Sequence, residues 1–232
     1  MALLLSIETS TQSCSVALHE KGVLIETKIM ETPRSAASQL AVMIGDVFKV
    51  SSKKPNSLQG VIVASGPGSY TGLRIGVATA KGLCYALSIP LFSVNTLELL
   101  AYQFLGNVSK KSIQINNAIL CPMLDARRME VYCALLDQDL KYVEQVQAKV
   151  IDGDSFRLTL ESKPIFFFGE GADKCKEIIK HSNAHFFSDV IPLASSLGKL
   201  GYTKWKEGTN EDIVSFEPFY LKDFLIRKPN LN

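Results

Sequence analysis

An excess of either charge is missing from this chain: 25 Lys and Arg stand against 23 Asp and Glu over 232 residues, a net of +2. The basic residues occur as scattered pairs (Lys53-Lys54, Lys110-Lys111, Arg127-Arg128) and not as a patch or stripe. Any nucleic-acid contact made by the chain alone should therefore be weak and salt-sensitive. No apolar run approaches the ~20 residues that a membrane helix needs. The opening Met-Ala-Leu-Leu-Leu-Ser-Ile meets Glu8 too early for a signal peptide. The spacing C-x-x-C is absent too. The five cysteines, Cys14, Cys84, Cys121, Cys133 and Cys175, are odd in number and mostly lie in apolar runs, where Cys behaves as a small hydrophobe. This pattern speaks against a disulfide framework or a zinc cluster and for a reducing compartment, so the cytoplasm is the expected location. Histidine is scarce. His181 and His185 have a metal-like spacing, but Ser182-Asn183 between them is turn chemistry, so the pair is read as a solvated loop. His19 is expected at the surface, near a hairpin turn.

What is present is a chain able to bury a core. Hydrophobic residues make up 47%, as in a globular protein, and at this length roughly 70% of the unfolded surface is buried without staples. Residues 61–87 carry the most information. Val61 to Ala64 reads as a buried strand. Gly66, Pro67 and Gly68 break it, because Gly reaches φ > 0 and Pro fixes φ. Ser69 or Thr71 can cap the helix that follows, and Leu73, Val77, Ala80, Cys84 and Leu87 recur on one of its faces. Gly72, Gly76 and Ala80 form a flank small enough for another backbone to approach. Each Gly costs a helix roughly 1 kcal/mol relative to Ala, so two of them need a packing reason. The free amides at this helix start could also hold an anion.

Two stretches resemble each other. Leu3 to Glu8, a short polar turn Thr9–Gln12, and Cys14 to Leu18 match Ala118 to Asp125, a turn Ala126–Arg128, and Val131 to Leu136. Each is a buried strand ending in an acid, a turn, and a second strand. A third strand follows in each, Val23 to Met30 and Lys141 to Val150, so the chain reads as a duplicated unit. Helix one spans Ser35 to Val50, with Leu40, Met43, Ile44, Val47 and Phe48 on its apolar face. Strand Leu91–Val94 and helix Thr96–Phe104 follow, and Gly106 to Asn117 is the polar link between lobes. The second half holds strand Pro164–Phe168, the turn Gly169-Glu170-Gly171, a helix near Ala172–His181, strand His185–Phe187 and a final helix from Leu193 to Trp205. Alternating strand and helix argues for an α/β sheet. The expected lobes are residues 1–106 and 107–232.

Several motifs, in order along nearly the whole chain, resemble the TsaB (YeaZ) family. They are Ser6-Ile7-Glu8-Thr9-Ser10-Thr11, Gly66-Pro67-Gly68-Ser69-Tyr70-Thr71-Gly72-Leu73-Arg74-Ile75-Gly76, Pro90 to Val94 with Leu97-Glu98, Asp125-Ala126-Arg127-Arg128-Met129-Glu130-Val131-Tyr132, and Gly169-Glu170-Gly171. The resemblance implies two ribonuclease-H-like lobes, as in the actin, sugar-kinase and Hsp70 superfamily, each a mixed sheet flanked by helices. It implies a non-catalytic subunit that pairs with its paralogue TsaD, which transfers threonylcarbamoyl to adenosine 37 of tRNA. The ATPase TsaE docks on the pair, and tRNA is met through the complex. On this resemblance the chain needs no cofactor of its own, and ATP and Mg²⁺ are used by its partners.

The residues agree with an emptied reactive centre. Catalytic relatives carry Val-X-His-X-X-X-His, whose histidines bind a metal. Here Val94-Asn95-Thr96-Leu97-Glu98-Leu99-Leu100 puts Thr96 and Leu100 in those places. Where family members have His-Ser in helix one, this chain has Ala37-Ser38. Kinases of the superfamily follow the acid of each hairpin with glycines that cradle phosphate. Glu8-Thr9-Ser10 and Asp125-Ala126-Arg127 keep the acid without the glycines. Glu8 either orients a hydrated Mg²⁺ or is satisfied by turn amides. Glu8, Thr9, Ser10, Asp125, Gly169 and Gly171 are the candidates for a vestigial nucleotide or Mg²⁺ site, and Gly169-Glu170-Gly171 reads equally as a strand-to-helix turn. The expected partner surface comprises Leu40, Met43, Ile44 and Val47 of helix one, with Ser69, Tyr70, Thr71, Leu73, Arg74, Val77 and Lys81. Part of its apolar set is expected to be exposed in the free chain, against the alternative that all of it faces the chain's own sheet. Other readings are an M22-type metallopeptidase-like or kinase-like ATPase enzyme, and a homodimer formed through the same helices when TsaD is missing.

Overall fold

Leu3, Leu5 and Ile7 alternate with Leu4 and Ser6 along β1 (Leu3–Glu8), and the two sets enter different layers. This period-two division organises the molecule. The computed structural model describes residues 2–30, 36–110, 115 and 117–222. In the first sheet β1 pairs antiparallel with β2 (Cys14–Glu20), and β2 with β3 (Val23–Met30). β1 also pairs parallel with β4 (Gly60–Gly66), and β4 with β5 (Leu91–Asn95). The order is β3-β2-β1-β4-β5. The second sheet holds β6 (Ile119–Asp125), β7 (Glu130–Leu136), β8 (Tyr142–Val150), β9 (Ile165–Phe168) and β10 (Ala184–Phe187). Its order, β10-β9-β6-β7-β8, is the first sheet's order read from the other end. The duplication seen in the sequence is thus a duplication of topology.

Helices make three further layers. α1 (Ala36–Ser51) and α2 (Tyr70–Leu87) pack Leu40, Met43, Val47, Val77, Ala80 and Cys84 against Leu3, Leu5, Ile7, Val61 and Val63. α4 (Arg157–Ser162) and a 3-10 turn at Asp173–Cys175 cover the outer face of the second sheet with Leu160 and Cys175. Between the sheets lie α3 (Thr96–Lys110) and α5 (Ala194–Glu207).

This middle layer joins the two halves of the chain. α3 follows β5 in the chain, yet Leu97, Leu100, Ala101, Phe104 and Val108 bury against Leu120, Leu124, Phe166 and Phe168 of the second sheet. The Phe104 ring stacks on Phe168 at 4.2 Å and meets Phe187 edge-on at 5.0 Å, geometries that aromatic quadrupoles favour. α5 follows β10, yet Leu197 sits with Leu4, Ile62, Phe92 and Val94 of the first sheet. Both inner clusters thus draw residues from both halves of the chain, and Leu99 of α3 itself joins the first-sheet cluster, so a cut near residue 106 would run through both.

Other differences are local. α3 continues to Lys110, beyond the expected end at Phe104. The expected link over 106–117 is therefore helical at its start, while 111–114 and 116 lie outside the described residues. The helix expected over 172–181 is only the 3-10 turn, because turns suffice to bury Ala172, Cys175 and Ile179. α4, six residues long, is too short to show a helical period. Residues 31–35, and the side chains of Ala37 and Ser38, also lie outside the description.

Candidate functional site

The acid Glu8 ends β1 and is fully buried, and Glu170, just beyond β9 of the second sheet, lies near enough for its charge to act on it. Glu8 Oε1 accepts hydrogen bonds from Ser10 N at 2.6 Å and Ser10 Oγ at 2.5 Å. Its Oε2 is buried and has no partner among the described residues. Burial raises the carboxyl pKa from 4.5 to about 7, the Ser10 bonds pull it partly back, and the charge of Glu170 adds to the rise. A carboxyl near half-protonation at neutral pH is a weakened Mg²⁺ ligand, because the metal takes the ionised form. Of the two sequence readings of Glu8, turn satisfaction holds for one oxygen only.

The glycine flank of α2 finds its packing reason here, and it is internal. A Cβ on Gly72 would overlap the Thr9 carbonyl oxygen, one on Gly76 the Thr9 hydroxyl, and one on Gly68 the Ser10 carbonyl oxygen. Thr9 Oγ1 donates to Gly72 O at 2.8 Å, and Ser69 N donates to Ser10 O at 2.6 Å. The backbone admitted by these small residues is the chain's own Thr9-Ser10 turn. Ser69 caps α2, its Oγ accepting from Gly72 N at 3.3 Å. The amides at this helix start are thus partly spent on the chain itself.

The matching turn of the second lobe is closed from within. Lys174 forms an ion pair with Asp125 and donates to Arg128 O and Glu130 O, each at 2.7 Å. Arg127 N donates to Asp125 Oδ1 at 3.0 Å. Arg127 and Arg128 are exposed, with φ of 70° and 50°, a left-handed backbone that L residues adopt only under constraint. Lys174 thus puts a tethered cation beside Asp125. Gly169 and Gly171 serve close packing: a Cβ on Gly169 would overlap Met123 O, and one on Gly171 would come within 2.7 Å of the Leu124 carbonyl carbon. The sequence offered Asp125, Gly169 and Gly171 without Lys174. The only signal for it was a lysine three residues beyond the G-E-G turn.

The position of the absent metal ligands is apolar. Leu100 is core, and Thr96 is fully buried with its Oγ1 unpartnered among the described residues. His19, expected at the surface, is buried in the middle layer. Its Nε2 meets Ser195 O at 2.9 Å, its Nδ1 faces Ser6 Oγ at 3.5 Å, and its ring fills the space left by Gly198. Burial lowers its pKa, so the neutral ring is favoured.

The expected partner surface is corrected in part. Leu40, Met43, Ile44, Val47, Leu73 and Val77 are all buried in the chain's own core, so none of that apolar set is free to meet another protein. Lys81 donates to the carbonyls of Val214 at 3.2 Å and Phe216 at 3.0 Å. Tyr70 pairs with Tyr220, ring centroids 4.9 Å apart, and Arg74 Nη1 donates to Tyr70 Oη at 3.1 Å. Ser69, Thr71 and Arg74 are exposed. The outward strip the sequence did not single out comprises Ala41, Val42, Gly45 and Val50 of α1 with Ala78, Gly82, Tyr85 and Ala86 of α2. Val42 is 53% and Tyr85 81% exposed. A Cβ placed on Gly45 or Gly82 would meet nothing within 4 Å.

Comparison with known proteins fits this arrangement. Residues 30–199 match the family model described as TsaD, tRNA N6-adenosine threonylcarbamoyltransferase. The tRNA threonylcarbamoyladenosine biosynthesis protein TsaB of Bacillus subtilis is 29% identical over 94% of this chain and 93% of its own length. The Escherichia coli protein of that name is 31% identical over 95% and 94%. A Pseudomonas aeruginosa structure described as similar to the peptidase YEAZ superposes with a TM-score of 0.80 at 25% identity, covering 96% of this chain and all of that one. The ADPNP-bound activator of a Clostridium difficile 2-hydroxyisocaproyl-CoA dehydratase shares the fold, with a TM-score of 0.51 at 8% identity. Lobe topology, motif order and full-length similarity agree: this chain belongs to the TsaB family, within the wider group of proteins related to TsaD.

Proposed function

We propose that this chain is a non-catalytic scaffold in tRNA threonylcarbamoyladenosine biosynthesis, binding a TsaD-type transferase through the outward strip of α1 and α2. The observation that carries this reading is the pair Gly45 and Gly82. Each costs its helix about 1 kcal/mol relative to Ala, and neither is explained by a neighbour within the chain. A partner helix laid across the strip supplies the reason, since small residues let helix axes approach closely. Thr96 and Leu100 in place of metal-binding histidines, and Lys174 beside Asp125, support a chain that needs no cofactor of its own. ATP and Mg²⁺ belong to its partners, among them a TsaE-type ATPase, and tRNA is reached through the complex. In the absence of the transferase the same strip pairs two copies of this chain. The cytoplasm is the compartment for this work.

Titration calorimetry with a TsaD-type protein tests the reading. Gly82→Trp and Ala78→Trp should each weaken binding by about 100-fold, as blocked hot-spot surfaces do. Their melting temperatures should stay near that of the unaltered chain, because both positions face outward. Reconstituted tRNA modification should fall in parallel. Undiminished affinity in both variants would exclude this docking face. Leu73→Glu and Val77→Glu are unsuitable probes, since either would bury a charge in the core.

A further inference from the structure

α5 ends at Glu207, and the chain then returns to the first lobe as a strap. Glu211 N donates to Leu91 O at 2.8 Å on the edge strand β5. Lys81 of α2 donates to Val214 O at 3.2 Å and Phe216 O at 3.0 Å, and Phe219 N donates to Ser65 O at 2.7 Å, shortly before α2 begins. The strap thus runs beside α2 in the opposite direction. α1 lies over β2 and β3, and α2 over β4, so the outer layer reads α1, α2, strap across the sheet.

One turn of the strap is built around an apolar apex. Phe216 N donates to Asp212 O at 2.9 Å. The Asp212 carboxylate accepts from Val214 N at 3.2 Å, Ser215 N at 3.3 Å and Ser215 Oγ at 2.6 Å. Ile213 and Phe216 pack on the first core, which leaves Val214 between them 84% exposed. Turn positions of this kind ordinarily carry Gly, Asn, Asp or Ser. Here Asp212 on one side and Lys81 on the other hold a branched apolar side chain out in water. A knob fixed in this way loses little freedom on binding. The exposed Tyr85 follows Lys81 by one turn on the same side of α2.

Size decides that the strip of α1 and α2 needs a neighbour. A stable interface engages roughly 20–30 residues a side. The strip has eight, and five of them (Ala41, Gly45, Ala78, Gly82, Ala86) are Gly or Ala. Beyond α1 the next surface holds the exposed ion pair of Asp46 with Lys28 of β3, which is worth little to a partner. Beyond α2 it holds Val214. Fully desolvated apolar and aromatic side chains carry most binding energy, so the strap is the favoured extension.

We propose that Val214 and Tyr85 form an apolar anchor that fills a pocket on the TsaD-type transferase, beside the helix that covers the α1 and α2 strip. This rests on the scaffold reading and adds the strap to its surface.

Titration calorimetry of the full chain with a TsaD-type protein tests the anchor. Val214→Ala should weaken binding about tenfold, the loss of two buried methylene equivalents. Val214→Glu should weaken it by about 100-fold, since a charge would enter the pocket unpaired. Both variants should keep the melting temperature of the parent, because the side chain stands in water. Leu158 of α4, in the second lobe, is also 84% exposed, and Leu158→Glu should leave the affinity within about twofold. Unchanged affinity in Val214→Glu, with binding still blocked by Gly82→Trp, would overturn the anchor and leave the scaffold reading in place. Equal losses in Val214→Glu and Leu158→Glu would also overturn it, because added charge alone would explain both. Undiminished affinity in Gly82→Trp and Ala78→Trp would remove the scaffold reading itself, and the anchor with it.

Discussion

Replacing Gly72 by alanine should cost the fold about 3 kcal/mol or more, beyond the usual range for one added methyl in a packed site. The new Cβ would overlap the carbonyl oxygen of Thr9, a backbone atom that no rotamer change can move. The Thr9-Ser10 turn is pinned on both sides, by Thr9 Oγ1 to Gly72 O and by Ser69 N to Ser10 O, so it cannot retreat without losing those bonds. For a chain of this length such a loss lowers the melting temperature by roughly 6–12 °C. Gly82→Ala, ten residues along the same helix, is the internal control. It meets open space, so it should stabilise the isolated chain by about 1 kcal/mol through helix propensity alone. Calorimetry of the two variants therefore predicts shifts of opposite sign from the same chemical change. Equal shifts would mean that the close approach of turn and helix does not decide the role of Gly72.

That pair of glycines shows what was legible in the sequence. The local signals held. The strand before Gly66, the break at Gly66 to Gly68, the Ser69 cap and the apolar face of α2 are all present as the residue types dictated. The duplication was visible because both hairpins are short-range structures, each read from alternation and turn residues. What the chain did not disclose was where each face goes. A helix carries a core stripe and an outer stripe, and composition alone does not say which small residues meet the chain itself and which meet something else. Gly72 and Gly76 receive Thr9, whereas Gly45 and Gly82 receive nothing, although all four are glycines in helices. His19 was misplaced for the same reason: its partners Ser195 and Gly198 lie in α5, far along the chain and borrowed from the other half. Lys174 and Lys222 also act over long separations, 49 residues to Asp125 and 92 to Glu130. Long-range pairing decides these roles, and no periodicity encodes it.

Glu8→Gln should remove a pH dependence of folding worth on the order of 3 kcal/mol, the free energy of a carboxyl raised from 4.5 to about 7. The raised folded pKa means that the folded state holds a proton which the unfolded chain releases. The resulting stability is fully present below pH 4.5, falls as pH rises, and is gone above about 7. His19 works in the opposite sense. Its folded pKa is lowered, so the unfolded chain takes up the proton first and stability falls as pH drops below 6.5. Between pH 5 and 8 the two slopes partly cancel, which is why the difference between the parent and the variant is the quantity to measure. Urea unfolding at pH 5 and pH 8 should show Gln gaining on Glu by about 2–3 kcal/mol as pH rises, with an unchanged m-value. Gln keeps one oxygen for the two Ser10 bonds, and its amide group takes the place of an oxygen that has no partner. Steric change is therefore small, and the pH term stands alone. A parent and variant whose stabilities ran parallel across this range would show that Glu8 titrates as an ordinary carboxylate. Its side chain would then be ionised at neutral pH, the form that a cation takes.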